Sequence, residues 1–171
     1  PLIHGGGQER NRRAGTENIP YIVGLGKASE IAQRDFPKRY DHFLALRDRL
    51  QQGILSRIPQ VQLNGHPTKR LPNTLNMSFM YIEGESLLLN LDLEGIAVSS
   101  GSACTAGSSE ASHVLLAMGV PPEIAQSAIR FSLGWANTAE DVDYAIDVLP
   151  RIVKRLRDMS PLYQKHVSSA K

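Results

Sequence analysis

TLNMSFM, residues 74–80, alternates apolar and polar side chains along its whole length. Leu75, Met77 and Phe79 fall on one side and Asn76 and Ser78 on the other, which predicts a strand with one buried face. Before it, Val61 to Leu63 reads as a short strand closed by Asn64-Gly65 and a polar turn containing Pro67 and Pro72. After it, Glu85 to Leu93 reads as a helix stopped by Gly95, and Ile96 to Val98 as a buried strand. His113 to Met118 predicts a helix stopped by Gly119 and Pro121, and Ala128 to Leu133 a strand carrying Arg130.

Longer helices flank this middle. Phe36 to Ile58 is amphipathic through Phe36, Tyr40, Phe43, Leu50 and Ile54, with a break in the stripe at Arg47. Ile22 to Gln33 reads as a separate short helix with small residues at Gly24, Gly26 and Ala28. Thr138 caps a last long helix with Asp141 as its capping-box partner, and Pro150 is expected to kink it. Its stripe is Val142, Ile146, Leu149, Val153 and Leu156. Residues 1–18 lack apolar periodicity and read as irregular; the tail from Ser160 reads as polar and loosely held. Hairpin-like strands mixed with helices predict an α/β fold of the α+β kind, a mainly antiparallel sheet covered by helices.

With 171 residues, 42% hydrophobic and 21% charged, the composition is that of a globular protein. A net charge of +2 gives no general pull toward nucleic acid or acidic membrane, and neither is an expected partner. Runs such as Leu87-Leu88-Leu89 are far too short to span a bilayer, and no signal-peptide pattern is visible. The opening on Pro1, without an initiator Met, reads as a fragment or a processed product. One cysteine cannot form an internal disulfide or a cysteine-rich zinc site, so a reducing, cytoplasmic setting (or an organelle matrix) is expected.

That cysteine, Cys104, lies in SSGSACTAGSSEAS, residues 99–112, where the other thirteen residues are Ser, Gly, Ala, Thr or Glu. A lone cysteine is more often a small buried hydrophobe. Here the segment has almost no apolar surface to bury, so an accessible, thiolate-forming cysteine is expected. Gly101 and Gly107 flank it, which suits a thiol that moves between two places better than one locked in a triad.

SSGSACTAG, following GIAV of residues 95–98, resembles the active-site loop of cysteine desulfurases, in particular the NifS/IscS-like group of the pyridoxal-phosphate-dependent class-V aminotransferase family. HGGGQERNRRAGTEN (4–18) is similar to the family segment just after the cofactor lysine region. LPNTLNMSF (71–79) resembles a small-domain strand, and AIRFSLG (128–134) the strand carrying a substrate-binding arginine.

The resemblance implies a fold-type-I homodimer with pyridoxal 5′-phosphate (PLP) that takes sulfur from L-cysteine, releases L-alanine and holds the sulfur as an enzyme persulfide. Cys104 takes the nucleophile position, Arg130 that of the substrate-carboxylate arginine, and Thr16 that of a threonine reaching the cofactor phosphate of the partner subunit. The implied acceptors are an iron–sulfur scaffold or another sulfur-acceptor protein, including one serving tRNA thiolation. No resident metal site is implied; Cys104 is a candidate transient iron–sulfur ligand only together with a scaffold.

None of the six lysines (27, 38, 69, 154, 165 and 171) lies in the Ser-x-His-Lys motif that carries the family's cofactor lysine. The chain therefore resembles the C-terminal portion of such an enzyme. Residues 1–36 would be a remnant of the large PLP-binding domain, and 37–171 the small domain with the cysteine loop at 99–112. Alone, lacking the lysine, it is expected to be inactive and to act beside its own N-terminal portion. A non-enzymatic persulfide relay, a scaffold-docking domain and a selenocysteine lyase relative are the alternatives.

Other patterns carry less. Gly5-Gly6-Gly7 lacks the Gly-Lys-Ser/Thr of a P-loop, and Gly24-Leu25-Gly26 has no preceding strand. Arg10, Arg12 and Arg13 form a basic cluster of the sort usually solvated or ion-paired, and the five histidines show no metal-ligand spacing.

Overall fold

The computed structural model describes residues 1–100 and 111–169. It contains, in chain order, β1 (Gly7–Gln8), β2 (Arg13–Ala14), α1 (Ile19–Arg57), β3 (Val61–Leu63), β4 (Thr74–Phe79), α2 (Gly84–Leu93), β5 (Ser99–Ser100), α3 (His113–Ala117), α4 (Pro122–Ala125), β6 (Ala128–Ser132), α5 (Ala139–Asp158) and α6 (Pro161–Ser169). Two units are distinguished, Pro1–Arg39 and Tyr40–Lys171.

In the second unit, the alternation at residues 74–79 places Leu75, Met77 and Phe79 on the buried face of a sheet ordered β3-β4-β6-β5, antiparallel throughout. Ile129 and Phe131 of β6 share that face. Onto it pack Leu46, Leu50 and Ile54 of α1, Leu87 and Leu91 of α2, and Val142, Ile146, Leu149, Ile152 and Val153 of α5. Each large apolar side chain removed from water here contributes about 2 kcal/mol, which is why period 2 in the strand and period 3.6 in the helices specify one arrangement. Behind the sheet, Leu115, Val120, Ala125 and Ala128 form a smaller cluster that covers one end of the opposite face. The capping box forms as expected: the Asp141 backbone N–H donates to Thr138 Oγ1 at 3.2 Å, and the Thr138 N–H to the Asp141 carboxylate at 2.9 Å.

Several expectations are corrected. The two helices read at 22–33 and 36–58 are one helix, α1, which runs through Pro37. Proline forfeits one backbone bond, but its φ is helical, so a stripe packed downstream can carry the helix on. Arg47 does not break that stripe. It is 4% exposed, its Nη1 donates to the Leu71 carbonyl at 3.1 Å and its Nη2 pairs with Asp48 at 2.7 Å. The long helix read across Pro150 is the single element α5.

Ile96 to Val98 is half-buried or exposed and not strand; the pairing begins at Ser99. The segment 1–18 holds a two-stranded ladder, β1 with β2, whose turn carries Glu9, Arg10 and Asn11 at positive φ. The short helix α4, with proline at its first turn, was not expected. Nor is the tail loose through Ser169. Tyr163 and His166 of α6 lie against the Tyr81 ring, at centroid distances of 5.7 and 4.8 Å. Among the described residues no helix is long and apolar enough to cross a membrane.

Candidate functional site

The register of the sheet assembles a polar row across its strands. Ser99 of β5 is opposite Arg130 of β6, and Arg130 is opposite Asn76 of β4. Asn64 extends the row beyond β3, its backbone N–H donating to the Asn76 carbonyl at 2.9 Å. Opposed residues on antiparallel strands share a face, with Cβ atoms about 5 Å apart. The row lies on the face opposite Leu75, Met77 and Ile129, because each member is one step out of phase with them.

Arg130 is exposed while both its strand neighbours, Ile129 and Phe131, are buried. Other guanidinium groups of the second unit are paired with acids, such as Arg49 with Asp143 and Arg151 with Glu94. Among the described residues none pairs with Arg130. A planar, two-pronged cation fixed on a rigid strand and left without an internal anion is suited to an external carboxylate or phosphate.

Cys104 lies outside the described residues, but both ends of its segment are placed. On one side Ser100 pairs with Ile129. On the other, Ala111 packs against the cluster that contains Ala128. The entry to the segment is thus held on β6, where Ser99 lies opposite Arg130.

Thr16 belongs to the first unit and is exposed. It follows Gly15, whose φ of +91° is a conformation that favours glycine. The Gly15 N–H donates to the Gly6 carbonyl at 3.3 Å, and Arg13 pairs with Glu17. This holds the turn while the Thr16 hydroxyl makes no hydrogen bond to a described residue. An exposed hydroxyl on a braced turn fits a donor to a phosphate. Lys27 and Lys154 are engaged with Glu30 and Asp158 on helix surfaces. Among the described residues no group of three His, Cys, Asp or Glu could hold a metal.

Sequence reasoning named Arg130 as a candidate but did not place the row it joins. Asn76 was placed on the polar side of its strand by alternation, whereas its pairing with Arg130 and its link to Asn64 depend on strand register, which alternation leaves open.

The chain belongs to the aminotransferase class-V family, a model of which matches residues 4–145. It is 58% identical over 165 residues to a protein named cysteine desulfurase IscS from Methanosarcina thermophila, covering 96% of this chain and 41% of that protein. It is 53% identical over 170 residues to the protein of the same name from Clostridium botulinum (strain Hall), covering 98% of this chain and 43% of that one. A solved structure titled NifS-like protein matches with a TM-score of 0.77 at 42% identity, over 91% of this chain and 39% of the other. The chain thus spans about two-fifths of the length of the curated relatives it matches.

Proposed function

We propose that this chain is the C-terminal portion of a PLP-dependent cysteine desulfurase. The observation that carries the reading is the position of Arg130. An exposed guanidinium, without an acid partner among the described residues, faces Ser99 at the entry to the segment that bears the one thiol.

In this reading Arg130 receives the carboxylate of L-cysteine by paired hydrogen bonds and so orients the substrate thiol. The Cys104 thiolate attacks the substrate sulfur. The substrate Cβ–S bond breaks, the sulfur stays on Cys104 as a persulfide, and the carbon fragment gains a proton and leaves as L-alanine. PLP in the complete enzyme supplies the electron sink that this cleavage requires. Thr16 donates its hydroxyl to the cofactor phosphate in the partner subunit of a homodimer. The cofactor lysine belongs to the N-terminal portion, so residues 1–171 alone are inactive. Residues 1–36 belong with the large domain and 37–171 form the small one. The persulfide passes to an iron–sulfur scaffold or another acceptor in the cytoplasm.

Intact-mass spectrometry of the complete enzyme after L-cysteine, without reductant, tests this. One added sulfur, abolished by Cys104→Ser, is expected. An unchanged mass, or sulfur gained equally by the serine variant, would overturn it.

A further inference from the structure

We propose that Asn76 is a second donor in the carboxylate subsite built on Arg130, and that Asn64 is the positioning residue that turns its amide the right way. The proposal rests on the reading of Arg130 as the substrate-carboxylate arginine.

Asn64 is 6% exposed and Ser78 is fully buried, so their side chains are held among protein atoms. Asn64 Nδ2 donates to Asn76 Oδ1 at 2.7 Å and to Ser78 Oγ at 2.8 Å. Gln62 Nε2 in turn donates to Asn64 Oδ1 at 3.4 Å. These bonds make a directional chain, Gln62 to Asn64 to Asn76. Each amide gives through its nitrogen and receives through its oxygen, and an amide has only those two ends.

At the end of the chain the oxygen of Asn76 is engaged, and its Nδ2 has no acceptor among the described residues. Asn76 is half-buried and directly opposite Arg130 on the same face. The row therefore presents donors side by side: a guanidinium and a neutral amide. A carboxylate has two oxygens with several lone-pair sites, so it accepts from both at once. Turned the other way, Asn76 would offer its oxygen to Arg130, occupying the cation and repelling the incoming anion. The bonds from Asn64 select against that orientation. An asparagine adds a donor without adding a second positive charge, so Arg130 keeps its full electrostatic attraction for the substrate.

The test uses the complete enzyme and two compounds: L-cysteine as substrate and cysteamine as competitive inhibitor. Cysteamine has the same amine and thiol but no carboxylate. Asn76→Ala is expected to raise KM for L-cysteine about tenfold and to keep kcat within about twofold, the loss of one hydrogen bond to a charged group. The inhibition constant of cysteamine stays unchanged. Asn64→Asp leaves Asn76 in place but supplies only acceptors toward it, drawing Nδ2 away from the substrate, so KM for L-cysteine again rises and cysteamine again does not. A merely structural role would move both compounds together. If Asn64→Asp impairs folding, Asn76→Ala and Asn76→Asp decide alone, the latter raising KM further by neutralising Arg130. Unchanged KM for L-cysteine in both Asn76 variants, with a large rise in Arg130→Ala, would overturn the role of Asn76 and leave that of Arg130 standing. Unchanged KM in Arg130→Ala would remove the reading beneath both.

Discussion

Ser99 stands directly opposite Arg130 across the β5–β6 ladder, one residue before the last described position ahead of the cysteine segment. The strand that presents the cation thus also anchors the entry to the thiol. In the proposed function, binding and sulfur transfer are carried by separate side chains on this shared anchor, and substitution separates them. Arg130→Lys keeps the charge but loses the fork, so KM for L-cysteine in the complete enzyme rises about tenfold. Cys104→Ser abolishes persulfide formation and leaves L-cysteine affinity within about twofold, because the hydroxyl is isosteric but a poor nucleophile. Titration of L-cysteine into each variant, with mass spectrometry of the product, checks both.

Arg157 stabilises the C-terminal end of the second unit. It is 4% exposed, with Nε donating to the Met80 carbonyl at 3.1 Å and Nη2 to the Gln60 carbonyl at 3.0 Å. Its guanidinium also lies 5.6 Å from the centre of the Tyr163 ring. Burial pushes its pKa below the ordinary arginine value, yet a guanidinium keeps its charge at neutral pH. The residues on either side of these contacts, Gln60 and Tyr81, both have positive φ, at 55° and 70°, so the two turns depend on the clamp. Arg157→Met takes the donor from the Met80 carbonyl, while the Gln60 carbonyl keeps the Met80 N–H at 3.1 Å, and is expected to cost about 1–3 kcal/mol in urea unfolding. A loss below about 0.5 kcal/mol, the level of an ordinary surface substitution, would refute the clamp.

Gly53 is the contact point of α1 with α5. A Cβ there would meet Ile146 Cγ1 at 2.6 Å, well inside van der Waals contact. Gly53→Ala gains about 1 kcal/mol of helix propensity, but overpacking of about 1–3 kcal/mol outweighs it. Pairing it with Ile146→Val, which removes the terminal methyl, should recover part of the loss. A double-mutant cycle showing no coupling between 53 and 146 would sink this account.

Stability falls in acid partly through Asp143. Its side-chain hydrogen bonds with Arg49, at 2.6 Å, hold its pKa below the ordinary aspartate value. A carboxyl depressed in the folded state adds stability above its unfolded pKa and loses it as pH falls through the folded one. The stability difference between the native protein and Arg49→Met should therefore be constant above about pH 5 and shrink below about pH 4. Both groups are exposed, so added salt should reduce the difference at every pH. Urea titrations across this range, at low and high salt, check the slope; a difference that grows toward acid would contradict the assignment.

How much was legible in advance follows from the range of the forces involved. Alternation at 74–80, the stripe from Val142 to Val153 and the Thr138–Asp141 cap are local patterns. Burial and capping act over a few residues, so the sequence by itself determined the helical layer and the buried sheet face. The continuation of α1 through Pro37, the burial of Arg47 on the Leu71 carbonyl and the docking of α6 on Tyr81 were not local. Each depends on a partner distant in sequence that compensates a locally unfavourable choice. The same holds for the site. The family resemblance marked Arg130 and Thr16 as candidates, but only strand register, a tertiary property, set Asn64, Asn76, Arg130 and Ser99 in one row. A one-residue slip would turn that row into the core, and the packing of Leu75, Met77 and Ile129 against the helices is what forbids the slip.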